Sequence, residues 1–285
     1  MRFTKPRKKL TVGRVVHVGV TQLILILLAL MSLFPFIWML GSSLKENSEM
    51  FTYPPRLFPD IPRWMNYVEA VTSVNFGQGF LNSIKLAVIN TVGQVLTSAM
   101  AGYALGKLKF KGSNWVFAGF IGVMMIPYTV IVIPIFSIFN LLGLIDTHLG
   151  IILMTFGYMP MGVFLCRQFI MSLPNDLMDA ALIDGAGYGR IFFTLILPLI
   201  KPAIASLAIF SFLWNWNSYF TPMIFLQSQE KFTVPLLLQM FKGKHFTDWS
   251  LIMAASTISV LPAMIVYLFG QKYVIEGITI TGMKG

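Results

Sequence analysis

Residues 15–40 read VVHVGVTQLILILLALMSLFPFIWML, with no Lys, Arg, Asp or Glu among them. A helix needs about 20 apolar residues to cross a hydrocarbon layer of about 30 Å, and this run exceeds that. Five further runs of similar character follow at 81–105, 115–141, 149–165, 203–226 and 251–270. The whole chain of 285 residues is 56% hydrophobic and 11% charged. A soluble domain carries about 25% charge, so this supply does not cover a water-facing surface. The expected fold is all-α: one domain over residues 1–285, a polytopic membrane protein with six transmembrane helices. The third run holds Pro127 and Pro134, which remove backbone donors and predict a kink facing protein or water rather than lipid.

The formal charge of +10 would suggest nucleic acid as a partner in a soluble protein. Its placement gives another explanation, because Lys and Arg gather in cytoplasmic loops. Arg2, Lys5, Arg7, Lys8, Lys9 and Arg14 precede the first run, and Lys107, Lys109 and Lys111 follow the second. Arg167, Arg190 and Lys201 flank the loop between the fourth and fifth runs, and Lys272 and Lys284 lie in the tail. These 14 bases face four acids (Asp176, Asp179, Asp184, Glu276), while the other seven bases face seven acids. Both termini are therefore expected inside, with some attraction to anionic membrane lipid and no role for nucleic acid. The first run lacks a small-residue cleavage pattern and reads as a retained span. A Pro-rich outer segment holding Pro54, Pro55, Pro59 and Pro62 is expected to form a compact loop.

Missing chemistry narrows the function. Cys166 is the single cysteine, and His17, His148 and His245 are scattered, so no metal site is expected. Gly102 to Lys107 gives GxxxGK followed by Leu108, one residue too short for a phosphate-cradling loop and without its hydroxyl. The Gly102 and Gly106 pair reads better as a close helix contact. Neither HExxH nor GxSxG occurs. None of the six runs contains Asp or Glu, the groups that ion-coupled carriers keep in the membrane. Transport driven by energy from another subunit is the leading reading, and an ATP-independent carrier or channel is the alternative.

The loop at 172–198 reads SLPNDLMDAALIDGAGYGRIFFTLILP. Ser172 or Asn175 can cap a helix, Pro174 suits a first turn, and Leu177, Ala181 and Ile183 or Asp184 approximate one side of it. Gly185 permits a turn, and a second amphipathic piece, Tyr188 to Leu195, runs into Pro198 and Pro202. Such a pair either lies on lipid or docks onto a partner. Asp179-Ala180-Ala181, Asp184-Gly185-Ala186, Phe192 and Pro198, in this phase, resemble the EAA motif of permease subunits of bacterial ABC importers. More narrowly, the chain is similar to carbohydrate importer permeases of the maltose-permease type, with a MetI-like architecture. The likeness extends to Pro54-Pro55, Asn66-Tyr67, Asn82-Ser83 and the ending Gly282-Met283-Lys284-Gly285. The motif's leading Glu is here Asp179, still an anion at a helix start.

That resemblance implies that Asp179, Ala180, Ala181, Asp184, Gly185, Ala186, Phe192 and Pro198 form a coupling loop against an ATP-binding subunit dimer. ATP and Mg would be held by that partner, with no cofactor and no catalytic residue in this chain. It also implies a second homologous permease subunit, an extracytoplasmic solute-binding protein and a bacterial cytoplasmic membrane. For the solute itself the residues leave two readings open. Trp214, Asn215, Trp216, Asn217 and Tyr219 suit sugar rings and hydroxyls, and lie roughly 20 Å along the helix from Lys201; they also suit an interfacial aromatic belt. Asn90 and Gln94, one turn apart, either face the same path or tie helices together. The outer segment 227–250, with Lys231, Lys242, Lys244 and His245, either receives a binding protein or is a solvated loop.

Overall fold

The computed structural model describes residues 12–242 and 247–282, with side chains over 17–242 and 247–273. The bases from Arg2 to Lys9, the Arg14 side chain, Lys244, His245 and the ending from Met283 lie outside the described residues. Fourteen helices are described: α1 Val12–Ser43, α2 Met65–Thr72, α3 Phe76–Lys107, α4 Ser113–Met124, α5 Tyr128–Leu141, α6 His148–Thr155 and α7 Pro160–Ser172. They continue with α8 Asp176–Ile183, α9 Tyr188–Ile191, α10 Leu197–Leu199, α11 Lys201–Trp216, α12 Phe220–Phe225, α13 Val234–Met240 and α14 Trp249–Gly282. Among the described residues, four stretches are long and apolar enough to cross a membrane, or up to six if each of two bent pairs counts as one span.

Both bent pairs trace to proline. Helices α4 and α5 meet at 99°. Pro127 caps α5 in extended backbone, so the expected kink is a full break. The second pair joins Tyr188–Leu199 to α11 at 81°, breaking at Ile200 just ahead of Pro202 in the first turn of α11. Ahead of Pro198, residues Phe192–Ile196 widen into a π-turn in which the Leu197 N–H reaches back to the Phe192 carbonyl. Widening relieves the clash between a proline ring and the carbonyl four residues earlier. The run expected at 203–226 is also shorter than its hydropathy suggests: α11 ends at Trp216, and 220–225 form a separate short helix.

The chain divides into two compact units, residues up to 69 with 248–257, and 70–247 with the remainder from 258. In the first unit no residue of the α1 apolar window is buried. Leu23, Leu25 and Met31 stand fully outward, as lipid contact requires and water would penalise. The last turn of α1 leaves orphan carbonyls. Asn66, fully buried, donates to the carbonyls of Ser43 (2.9 Å) and Lys45 (2.7 Å), and the Ser43 and Tyr67 hydroxyls meet at 2.7 Å. The Lys45 ammonium sits 4.9 Å above the Trp38 ring and donates to the Arg56 carbonyl.

The second unit is built around α3, which packs along α7 and α11. Close approach depends on missing side chains. A Cβ on Gly102 would lie 2.7 Å from Cys166 Cβ and 2.8 Å from the Arg167 nitrogen, whereas at Gly106 the nearest atom is 3.5 Å away. The α3–α7 contact is thus centred on Gly102, with Gly106 at its edge. At the other end of α3, Asn82 donates to the carbonyls of Glu230 (2.8 Å) and Phe232 (3.0 Å), and Ser83 Oγ accepts from the Val234 N–H at 2.9 Å. Asp146 holds the same 227–231 turn through Ser228, Lys231 and the Gln227 N–H. Burial alone would raise the Asp146 carboxyl, but these hydrogen bonds outweigh it and hold it well below the usual carboxylate range.

Gly102→Val is expected to overpack this contact by about 1–3 kcal/mol. It should lower the melting temperature in detergent, while Gly106→Ala melts like the wild type. Equal tolerance at both positions would show that α3 and α7 do not meet as described.

Candidate functional site

Two places in the second unit carry the polar and exposed groups that the sequence singles out. The first is the loop between α7 and α11. Helix α8 buries no residue, and Ile183 is 86% exposed at its end. Its ending is a Schellman cap. The Ala186 N–H bonds to the Ala181 carbonyl (3.0 Å), the Gly185 N–H bonds to the Leu182 carbonyl (3.0 Å), and Gly185 takes φ +77°. The DAAxxDGA spacing therefore has a local cause: Ala181 and Ala186 are the two ends of the cap and both rest against the core, while Gly185 supplies the left-handed residue. Asp179, Ala180 and Asp184 are exposed on the outer side, as is Pro198. Neither Ser172 nor Asn175 caps α8 through its side chain, contrary to expectation: Ser172 Oγ bonds back to the Phe169 carbonyl, and Asn175 Oδ1 accepts from Lys107 Nζ at 2.6 Å.

Phe192 is not on the exposed side. It is buried, its ring 5.5 Å from Tyr103 of α3, and it belongs to the hydrophobic core between α3, α7 and α11. The Tyr103 hydroxyl lies 3.4 Å from the Tyr188 carbonyl and 3.9 Å from Met178 Sδ. Lys107 Nζ donates to the Leu173 carbonyl at 2.7 Å. The loop is thus exposed on one side and fastened to the end of α3 on the other. Tyr103 and Lys107 are the residues that sequence reasoning missed; the signal was their spacing of four at the end of α3, which puts both on one face.

The second place lies where α6 gives way to α7. Pro160 cannot continue α6, and the released carbonyls need donors inside a membrane. Gln94 supplies them, donating to the carbonyls of Thr155 (2.9 Å) and Tyr158 (3.5 Å). Its own oxygen accepts from Ser211 Oγ and from Asn215 Nδ2 (3.0 Å) on α11. Gln94 therefore ties three helices and takes the helix-tying reading. Asn90, one turn away and 2% exposed, does not: its Oδ1 finds no partner among the described residues, nor does Thr233 Oγ1. Both line a cavity of about 10 Å³ together with Ser83, Asn215, Ser218 and Thr221.

The aromatic and amide cluster divides by helical phase. Trp214 is 77% exposed on the outer surface of α11. Trp216, buried, stacks on Phe212 at 6.0 Å and donates its N–H to the Ser259 carbonyl at 3.0 Å. Asn217 bonds back to the Leu213 carbonyl, and Tyr219 is partly exposed. Only Asn215 reaches the cavity beside Asn90. Ser211, four residues before Asn215, went unnoticed although its spacing places it on the same face. Among the described residues no group of three His, Cys, Asp or Glu is brought together that would hold a metal ion.

Residues 67–280 match the family described as the binding-protein-dependent transport system inner membrane component. The chain belongs to this family. The permease is 36% identical over 267 residues to the arabinooligosaccharides transport system permease protein AraQ of Bacillus subtilis, covering 92% of this chain and 94% of that one. It is 33% identical over 254 residues to the melibiose/raffinose/stachyose import permease protein MelC of the same species, covering 88% and 91%. Its fold matches a chain of a bacterial ABC transporter involved in the import of alginate with a TM-score of 0.81, at 23% identity over 94% of this chain and 99% of that one. The permease is accordingly a multi-pass membrane component of a transport system.

Gln94→Leu strips donors from the Thr155 carbonyl and should lower the melting temperature in detergent by about 5 °C. Asn90→Leu removes an orphaned buried oxygen while keeping the branched outline of the side chain, and is expected to melt at or above the wild-type temperature. The opposite order in a thermal shift measurement would reverse the two assignments.

Proposed function

We propose that this permease imports a sugar or oligosaccharide in the bacterial cytoplasmic membrane, with both termini in the cytoplasm and hydrolysis of ATP in a partner subunit as the energy source. The family description supports dependence on a binding protein, and relatives named for oligosaccharides support the solute class. The observation that carries the mechanism is the loop 172–198, capped into a fixed shape, exposed outward and fastened inward to α3.

In this reading Ile183 is the apolar knob that enters a groove on the ATP-binding subunit, and Asp179, Ala180, Asp184 and Gly185 form its rim. Small residues there let the partner approach closely. Phe192, Ala181 and Ala186 root the loop, so that a push on Ile183 turns α3 with it. Lys107, Tyr103 and Phe192 make that root hydrogen-bonded and apolar at once. A second, homologous permease completes the pathway, and the solute-binding protein meets the opposite face, where Asn82, Ser83 and Asp146 fix the turn 227–231.

Asn90 and Asn215, with Ser218 and Thr233, are the groups offered to solute hydroxyls on the outer half of the path. A cavity of about 10 Å³ holds one water at most, so a sugar ring passes only when α3, α6 and α11 part. Trp214 and Trp216 are assigned to the lipid boundary and to packing respectively.

Ile183→Glu places a charge in an apolar groove without touching the permease's own core. Its co-purification with the ATP-binding subunit should weaken by about thirtyfold, a typical loss for a central contact residue, with the melting temperature of the isolated permease unchanged. Full retention of that subunit by Ile183→Glu and Gly185→Trp alike would remove the coupling role from this loop.

A further inference from the structure

Beside the α3 end lies a cavity of about 600 Å³ that the transport path does not account for and that shares Asp179 with the loop's contact surface. The sequence Lys107-Leu108-Lys109-Phe110-Lys111 leaves α3 in extended backbone, with Leu108 at ψ 123°. Lys107 ends the helix, Lys109 lies in this short stretch and Lys111 opens the turn after it. All three line the cavity, along with Ser113, Asn175 and the carboxylate-bearing Asp179. Lys107 is spent on Leu173 and Asn175. Lys109 and Lys111 are exposed and make no ion pair among the described residues. The cavity is thus a basic recess with one acid on its rim, and its volume falls in the range of small-molecule sites.

Its other edge is apolar. Phe110 stands half exposed, and Trp115, 84% exposed, begins the face of α4, a helix that buries no residue. The recess therefore opens where an acyl chain would lie along α4 and where a headgroup would sit over the lysines. An ammonium is a point-charge partner for phosphate, and tryptophan settles at the headgroup level. Loop charge alone places lysines on a membrane surface; it does not explain why they converge on a recess bordered by a bare aromatic face.

We propose that this recess binds the phosphate of an anionic phospholipid headgroup through Lys109 and Lys111, with the acyl chains along Phe110, Trp115 and α4. The site needs nothing from the ATP-binding subunit, so its test is independent of the coupling role.

The test titrates the purified full-length permease with phosphatidylglycerol or phosphatidylcholine and counts bound lipid by native mass spectrometry. Wild type should favour phosphatidylglycerol, and Lys109→Gln/Lys111→Gln should bind it about thirtyfold less tightly at low salt with phosphatidylcholine binding unchanged. Lys109→Arg/Lys111→Arg should keep the preference, and an unchanged melting temperature shows that the glutamine variant is folded. Displacement of phosphatidylglycerol by inorganic phosphate at equal concentration would make this a free-phosphate site and overturn the lipid assignment. Unaltered phosphatidylglycerol affinity in the glutamine variant would overturn the site altogether.

Discussion

Gln94 is bonded to three parts of the chain at once, and a membrane interior gives that arrangement its weight. No water is present there to receive the carbonyls that α6 releases before Pro160. The amide of Gln94 donates to Thr155, while its oxygen takes the Ser211 and Asn215 donors of α11. A hydrogen bond of this kind contributes modestly, about 0.6 kcal/mol on average between membrane helices. Its larger consequence is geometric, because it sets how α3, α11 and the α6–α7 break sit together. Gly102, where a Cβ would come within 2.7 Å of Cys166 Cβ, sets the remaining distance from α3 to α7.

From that core both ends of α3 reach outward with matched clamps. At one end Asn82 and Ser83 hold the 230–234 segment; at the other Tyr103 and Lys107 hold the loop 172–198. A single helix therefore connects the turn on one membrane face to the exposed loop on the other. The loop's own shape is local in origin, a Schellman cap at Gly185, and its attachment is tertiary, through Phe192 on Tyr103. The two causes are separate within one short motif: one half of it makes the shape and the other half makes the anchor.

Much of this was legible in residues alone. Apolar runs are long because lipid demands it, so six candidate spans stand out in the residues, of which four are single stretches among the described residues and two are bent pairs, and Pro127 marked a real break. Where the sequence misled, the reason is helical phase. Trp214 and Trp216 are two residues apart, about 200° around the helix, so one faces outward and the other packs inward. A cluster counted along the chain does not show that split. Phe192 stands next to the exposed Phe193 for the same reason. The break at 156–159 offered Gly157 and Pro160 as signals, yet the hydropathy of 149–165 runs straight through it. The partner of Asn175 was also out of reach, since Lys107 is distant in sequence and only the fold brings it close.

The central claim is that the loop and α3 move as one body. Its most direct test is a spin-label distance between Leu177, exposed on the loop and outside its contact residues, and Val88 on the outward face of α3, measured by pulsed electron resonance in the assembled transporter, without nucleotide and with a trapped ATP state. The account predicts the same distance distribution in both states while ATP hydrolysis is retained. A distance that shifts or broadens on trapping would mean that the loop hinges away from Tyr103 and Lys107, and would contradict it.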